Sequence, residues 1–233
     1  MAATEQQQMT CDIAIIGGGV AGLWLLNRLV RKGYNAILFE KNALGSDQTV
    51  ASQGMTHGGM KYTLNGALTG ASEAIAEMPT HWQQCMAGHG DVDLKGAAKL
   101  SDHFYMWSST SVLSKMTTFL ASKAARGRIN KVPKDDLPPI FQNNQFKGSV
   151  YKLLDIVLDV PSVVKVLANN YLGRIFKINW EKTQWRKDAN NKASLVFFYN
   201  NQEYSLNANQ FVLTAGEGNE SILNEIGEDS PRM

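Results

Sequence analysis

The sequence predicts an α/β protein. A parallel sheet is opened by a βαβ unit and closed by an antiparallel β-meander, with a mixed α+β segment inserted between them. Three observations predict it. A short apolar strand runs into a glycine cluster and an apolar helix between Asp12 and Glu40. Asparagine pairs punctuate strand-like runs between Arg174 and Leu206. A last apolar strand, Gln210 to Thr214, ends in the small residues Ala215 and Gly216.

The first strand is Asp12-Ile13-Ala14-Ile15-Ile16. The cluster Gly17-Gly18-Gly19-Val20-Ala21-Gly22 follows, then a helix from about Leu23, a second strand Ala36-Ile37-Leu38-Phe39, and an acid, Glu40. Each part has a physical task in binding a dinucleotide. Gly17 permits a tight turn out of the strand, Gly19 lets a pyrophosphate approach the backbone, and Gly22 lets the helix lie close to the sheet. The amides at the helix start face two negative phosphates. Glu40 can accept hydrogen bonds from a ribose hydroxyl. Lys41 would suit a 2′-phosphate, but the neighbouring carboxylate repels one. A glycine cluster alone also fits an ordinary turn; the flanking strand, helix and acid favour the dinucleotide.

After Glu40 the chain is polar and glycine-bearing through Lys41 to Thr49 and again through Ser52 to Tyr62. Segments of this length without regular structure are more often functional than idle. Helical periodicity returns over Leu68 to Gln84. A second helix is expected from Ser111 to Ala125, its apolar face (Val112, Met116, Phe119, Leu120, Ala124) packed on the protein body. Pro133, Pro138 and Pro139 mark an irregular connection. Leu153 to Val160 reads as a strand and Pro161 to Asn170 as a helix with proline at its start. The strand-like runs Arg174 to Trp185, Ala193 to Tyr199 and Glu203 to Leu206 are separated by Asn190-Asn191 and Asn200-Asn201, which favour turns. The expected divisions are 1–75 for the βαβ unit and its following loop, 76–172 for the mixed segment, and 173–233 for the meander and return strand.

Composition narrows the class without naming it. The chain has 233 residues, 44% hydrophobic and 19% charged, with a formal charge of +2. No basic stripe with interleaved aromatics appears, so no nucleic-acid surface is expected. The basic run Lys123, Arg126, Arg128, Lys131 and Lys134 is diluted by Asp135 and Asp136 and reads as solvated surface; a phosphate-bearing substrate or an anionic membrane surface is the lesser reading. Cys11 and Cys85 form neither a disulfide framework nor a metal pattern, and a reducing, cytoplasmic compartment fits. His81, His89 and His103 lack ligand spacing, so no metal is assigned, and Cys85 reads as structural. The polar stretch Met1 to Thr10 is expected to fray. No uninterrupted apolar run is long enough to span a bilayer.

These residues carry a resemblance. The chain resembles the N-terminal part of an FAD-dependent oxidoreductase of the D-amino-acid oxidase and glycerol-3-phosphate dehydrogenase superfamily. Four features match in order: the Gly17–Gly22 fingerprint, Glu40-Lys41, the Ser52 to Tyr62 loop with its His57-Gly58-Gly59 triplet, and the return strand Val212-Leu213-Thr214-Ala215-Gly216. The triplet is similar to that of the glycerol-3-phosphate dehydrogenase branch.

The resemblance implies FAD in an extended form, with a Rossmann-type domain and part of an inserted substrate domain. Gly17, Gly18, Gly19, Val20, Ala21 and Gly22 would cradle the pyrophosphate, with Glu40 and Lys41 at the ribose. Ser52, Gln53, Thr56, His57, Gly58 and Gly59 would run beside the isoalloxazine, and Ala215 and Gly216 would bring close backbone to the cofactor. Ser52 and Thr56 can donate to cofactor oxygens or simply cap the loop. His57 is the candidate catalytic residue: it can hydrogen-bond the ring, support charge on the reduced flavin or carry a covalent link, or it can satisfy loop backbone groups. Lys61 and Tyr62 read as a solvated lysine and a packed tyrosine. The implied partners are a small amino or hydroxy substrate and an electron acceptor, which is oxygen, a quinone or another carrier; the quinone case would bring peripheral membrane contact. Relatives continue well past the return strand, whereas this chain ends at Met233. A truncated product, a fragment or one half of a split protein is therefore expected. The alternatives are a non-catalytic or split dinucleotide-binding module that needs a partner chain, and an NAD-linked dehydrogenase.

Overall fold

Ala14 and Ile15 are wholly buried, as are Ala36 and Leu38. Adjacent strand residues point to opposite faces, so a sheet built from these two strands must be covered on both sides. The computed structural model, which describes residues 6–56, 75, 77–108, 129–153 and 155–229, shows how. Strand β1 (Gln7–Ile16) leads into helix α1 (Val20–Arg31) and strand β2 (Ala36–Glu40). A single turn, α2 (Gln48–Ala51), follows. The chain then forms helix α3 (Met78–Met86) and strands β3 (Lys99–Ser101), β4 (Phe104–Ser108), β5 (Ile129–Lys131), β6 (Ser149–Leu153) and β7 (Val157–Leu158). Helix α4 (Val160–Asn170) precedes β8 (Ile175–Lys177), β9 (Gln184–Lys187), β10 (Ala193–Tyr199) and β11 (Gln202–Leu213), and α5 (Gly218–Ile226) comes last.

The chain divides into two compact units, one of residues 1–52 with 160–233, the other of residues 53–159 inserted between them. The first unit holds a six-stranded sheet in the order β8-β2-β1-β11-β10-β9. β1 lies parallel to both β2 and β11, and β8 parallel to β2. β9, β10 and β11 form the expected antiparallel meander. Helix α1 packs on β1, β2 and α4. Another face is filled by Ala14, Ile16, Ile37, Phe39, Leu195, Phe197 and Leu206 together with Ile222 of α5. Asn27, buried in α1, donates to the carbonyls of Leu23 and Leu167 at 2.9 Å each, and its oxygen accepts from Asn170 Nδ2 at 2.9 Å. This polar tie fixes α1 against α4. In the inserted unit, β4, β6 and β5 form an antiparallel sheet over Tyr151 and Leu153, and β3 pairs with β7.

Several expectations need correction. Gln7 to Thr10 do not fray: they extend β1 and pair with Tyr204 to Asn207. Helix α1 starts at Val20, three residues before Leu23. The run Leu153 to Val160 is not one strand, because Leu153 ends β6 whereas Val157 and Leu158 pair with β3. Arg174 to Trp185 is likewise broken. The Asn179 side chain accepts the Glu181 amide and starts a 3₁₀ turn, which sends β8 to one edge of the sheet and β9 to the other. Conversely, Glu203 to Leu206 and Gln210 to Leu213 belong to one strand, with Thr214 just past its end. Parallel pairing with β1 carries β11 through Asn207-Ala208-Asn209 despite their turn propensity. The Asn200-Asn201 turn is as expected, both residues having positive φ (48° and 61°). Helix α5 was not anticipated. The expected helix Ser111 to Ala125 lies outside the described residues; of the one over Leu68 to Gln84, Met78 onward is seen as α3.

Candidate functional site

β1 has neighbours on both sides that leave it in opposite directions, β2 through α1 and β11 through the long return. The carboxyl ends of β1 and β11 therefore lie at a topological switch point, where open α/β sheets bind ligands. The glycine cluster sits there. Gly17 has φ +115°, and its amide donates to the Phe39 carbonyl at 2.9 Å. A Cβ at Gly17 would lie 2.6 Å from the Thr214 carbonyl oxygen, so glycine here serves both the turn and the contact with β11. At Gly22 a Cβ would lie 2.0 Å from the Gly17 carbonyl oxygen, which is the close helix–strand packing expected from the sequence.

The amides at the start of α1 divide into two sets. Gly18 N–H donates to Glu40 Oε2 at 2.6 Å and Val20 N–H to Thr49 Oγ1 at 3.0 Å. The Gly19 and Ala21 amides make no hydrogen bond among the described residues. Gly19 is the N-cap residue and offers no capping side chain, and Ala21 is exposed. Helix dipole and unpaired donors together make an anion site at that point. Glu40 holds the turn as well as facing it: its Oε1 accepts the Asn42 amide at 2.7 Å. Each carboxylate oxygen retains a further lone pair, so a ribose hydroxyl can still be accepted.

Thr214 closes the other side of the turn. Its hydroxyl is shared between the carbonyls of Ile16 (3.1 Å) and Gly17 (2.9 Å). Asn219 Oδ1 accepts the Ala215 amide at 2.8 Å, and Gly216 has φ +59°. Thr49, Asn42, Thr214 and Asn219 were not singled out from the sequence. Thr49 and Asn42 lay in a polar stretch with no spacing to distinguish them. Thr214 could have been suspected from its position at the end of a strand predicted to approach the cofactor. Lys41 and Ser52 are exposed.

In the inserted unit, Gln53 is exposed, while Thr56 is buried with its hydroxyl donating to the Ile156 carbonyl at 3.1 Å. His57, Gly58 and Gly59, with Lys61 and Tyr62, lie outside the described residues. One expectation about the histidines is corrected: His81 and Cys85 do have partners. They lie one turn apart on α3, and the loop after α3 folds back to bring in Asp91, with His81 Nε2 to Asp91 Oδ1 at 2.9 Å. The i, i+4 spacing was legible; the return of Asp91 was not. Burial, followed by the Asp91 carboxylate, holds the Cys85 thiol above its ordinary pKa, although the Val92 and Asp91 amides oppose the shift. Burial and the Asp12 charge push Cys11 up to about 11.

The residues therefore fit a dinucleotide cofactor, and the comparisons agree. Residues 12–229 match the family model for FAD dependent oxidoreductases (DAO). The probable FAD-dependent oxidoreductase PA4991 of Pseudomonas aeruginosa is 43% identical over 227 residues, which cover 97% of this chain and 56% of that protein. The crystal structure of PA4991 superposes with a TM-score of 0.75 at 36% identity, covering 97% of this chain and 53% of that one. Glycine oxidase from Geobacillus kaustophilus shares the fold, with a TM-score of 0.67 at 17% identity over 94% of this chain and 59% of that one. The chain thus spans little more than half the length of these relatives. With a family match over nearly all of its described residues and the fingerprint turn in place at the switch point, the chain belongs to the FAD-dependent oxidoreductase (DAO) family, whose cofactor is FAD.

Proposed function

We propose that this chain is the FAD-binding portion of an oxidoreductase that takes hydride from a carbon bearing an amine or a hydroxyl in a small substrate. The observation that carries the reading is the pair of amides, Gly19 and Ala21, that have no partner among the described residues, at the start of α1 with Glu40 beside them. Gly17, Gly18, Gly19, Val20, Ala21 and Gly22 would hold the diphosphate, and Glu40, with Lys41 next to it, the adenosine ribose. Thr49 would compete with the diphosphate for the Val20 amide or add its hydroxyl to the same oxygens. Ala215 and Gly216 would give backbone access at the end of β11. Ser52, Gln53, Thr56, Gly58 and Gly59 would line the flavin side, and His57 would hydrogen-bond the ring or hold charge there. The flavin supplies the redox chemistry; the protein orients substrate and tunes its potential.

The electron acceptor in this reading is oxygen, a quinone or another carrier, and the location is cytoplasmic. Among the described residues no helix is long and apolar enough to cross a membrane; delivery of electrons to a quinone would bring peripheral membrane contact. No nucleic-acid role is proposed. The chain spans little more than half of its relatives' length. The competing reading is a dinucleotide-binding module that works with a partner chain and has no catalysis of its own. An NAD-linked dehydrogenase is the third.

Incubation with FAD, gel filtration and a visible spectrum provide the test. Flavin absorbance should co-elute with the protein. A colourless protein that gains no flavin overturns the reading, and preferential binding of NAD in a parallel titration would select the dehydrogenase. Flavin reduction by an amine, amino-acid or hydroxy-acid panel without any partner would reject the non-catalytic module.

A further inference from the structure

The inserted unit contains a cluster unrelated to the dinucleotide turn. His81 and Cys85 sit four residues apart on α3 and so share one face of the helix. Asp91 returns to the same point from the following loop. His81 Nε2, Cys85 Sγ and Asp91 Oδ1 are mutually close: 3.8 Å from nitrogen to sulfur, 3.5 Å from sulfur to oxygen and 2.9 Å from nitrogen to oxygen.

Those separations can be compared with a metal centre. Tetrahedral Zn²⁺ with ordinary bond lengths sets its sulfur, nitrogen and oxygen donors about 3.4–3.6 Å apart. The two edges that include sulfur already agree to within about 0.3 Å, and the third needs to open by about 0.5 Å. The three atoms thus form one face of a coordination tetrahedron. Cys85 is fully buried, whereas the His81 and Asp91 side chains remain 33% and 26% exposed. The fourth vertex can therefore face water.

The loop is built to hold this arrangement. Gly88 turns it with φ +79°. The His89 and Gly90 amides donate to the Gln84 carbonyl at 2.8 and 3.1 Å, and the Leu94 amide to the Cys85 carbonyl at 3.0 Å. A Cβ at Gly90 would lie 2.2 Å from Cys85 Sγ, so only glycine lets the loop close over the sulfur. The sulfur ligates a metal as its thiolate.

We propose that His81 Nε2, Cys85 Sγ and an Asp91 carboxylate oxygen form a site for a thiophilic divalent cation, Zn²⁺ in the first instance, that clamps the loop after α3 onto the helix. Thiolate and imidazole donors select zinc over magnesium or calcium, which take oxygen. On binding, the Cys85 S–H bond breaks, a sulfur–metal bond forms, and the proton passes to solvent; no electron moves. One thiolate and one carboxylate neutralise the +2 charge.

The test uses the tag-free full chain, stripped with EDTA, returned to zinc chloride and desalted. Metal analysis should give one zinc per chain, and the zinc K-edge spectrum should show a single sulfur in the coordination shell. Losing even an outer hydrogen-bond partner of a ligand weakens metal sites about 10–100-fold, so Cys85→Ser and His81→Ala should each weaken zinc at least tenfold by calorimetric titration. His81 is partly exposed, so His81→Ala decides the matter if Cys85→Ser fails to fold by circular dichroism. No retained zinc, a sulfur-free coordination shell, or unchanged affinity in His81→Ala would each overturn the proposal. None of these readouts depends on flavin.

Discussion

A methyl group at position 22 would have to occupy space 2.0 Å from the Gly17 carbonyl oxygen and 2.7 Å from Thr214 Oγ1. The first neighbour is backbone and cannot swing away. Gly22→Ala should therefore cost about 1–3 kcal/mol or more in urea unfolding, as overpacked sites do, and FAD retention should fall with it. Cys11 gives a second prediction at this scale. Its folded pKa is raised from 9.0 to about 11, so the folded state holds the thiol proton more tightly than the unfolded chain. That contribution to stability is fully present below pH 9 and is lost as pH rises from 9 through about 11. The unfolding midpoint should fall more steeply across this window in the native chain than in Cys11→Ala; parallel curves would show that Cys11 contributes nothing. The fingerprint glycines and Glu40 were legible in sequence because each answers a local steric or electrostatic demand. The hydroxyls of Thr49 and Thr214 were not, because they reach the turn from chain segments 29 and 197 positions away.

Among the elements, α1 and α4 illustrate how a helix pair is fixed by more than apolar burial. Asn27 lies wholly inside and meets two carbonyls and one amide. Asn27→Ala leaves Leu167 O and Asn170 Nδ2 without that partner, and the loss should be about 1–3 kcal/mol by chemical denaturation; a change near zero would mean that water replaces the amide fully. Elements with a clear period or punctuation were readable. The β10–β11 hairpin followed from Asn200-Asn201, whose positive φ values suit a tight turn. Breaks inside apolar runs were not readable. Ile175 to Lys177 and Gln184 to Lys187 look continuous in hydropathy, and what separates them is one asparagine side chain catching an amide two residues on. Local propensity also divided β11 where a parallel neighbour keeps it whole.

For the molecule as a whole, the family match covers this chain almost completely but only about half of its relatives. Residues 1–233, which hold the whole fingerprint turn, should therefore retain FAD by themselves; elution without flavin absorbance after incubation with FAD would contradict this. Fold class, and the return of the meander to the sheet that the βαβ unit opens, were legible because both units carry local signals; the points where the chain leaves and re-enters that unit, after 52 and before 160, were not, because they depend on long-range packing. Long-range pairing also has a kinetic side. Ile16 and Thr214, 198 positions apart, are hydrogen-bonded at the centre of the sheet. On a ribosome adding about 5–20 residues each second, the first strand waits about 10–40 s for its neighbour to emerge. Throughout that interval one flank of a strongly apolar β-segment stands open, which makes the nascent polypeptide a natural client for a holdase chaperone.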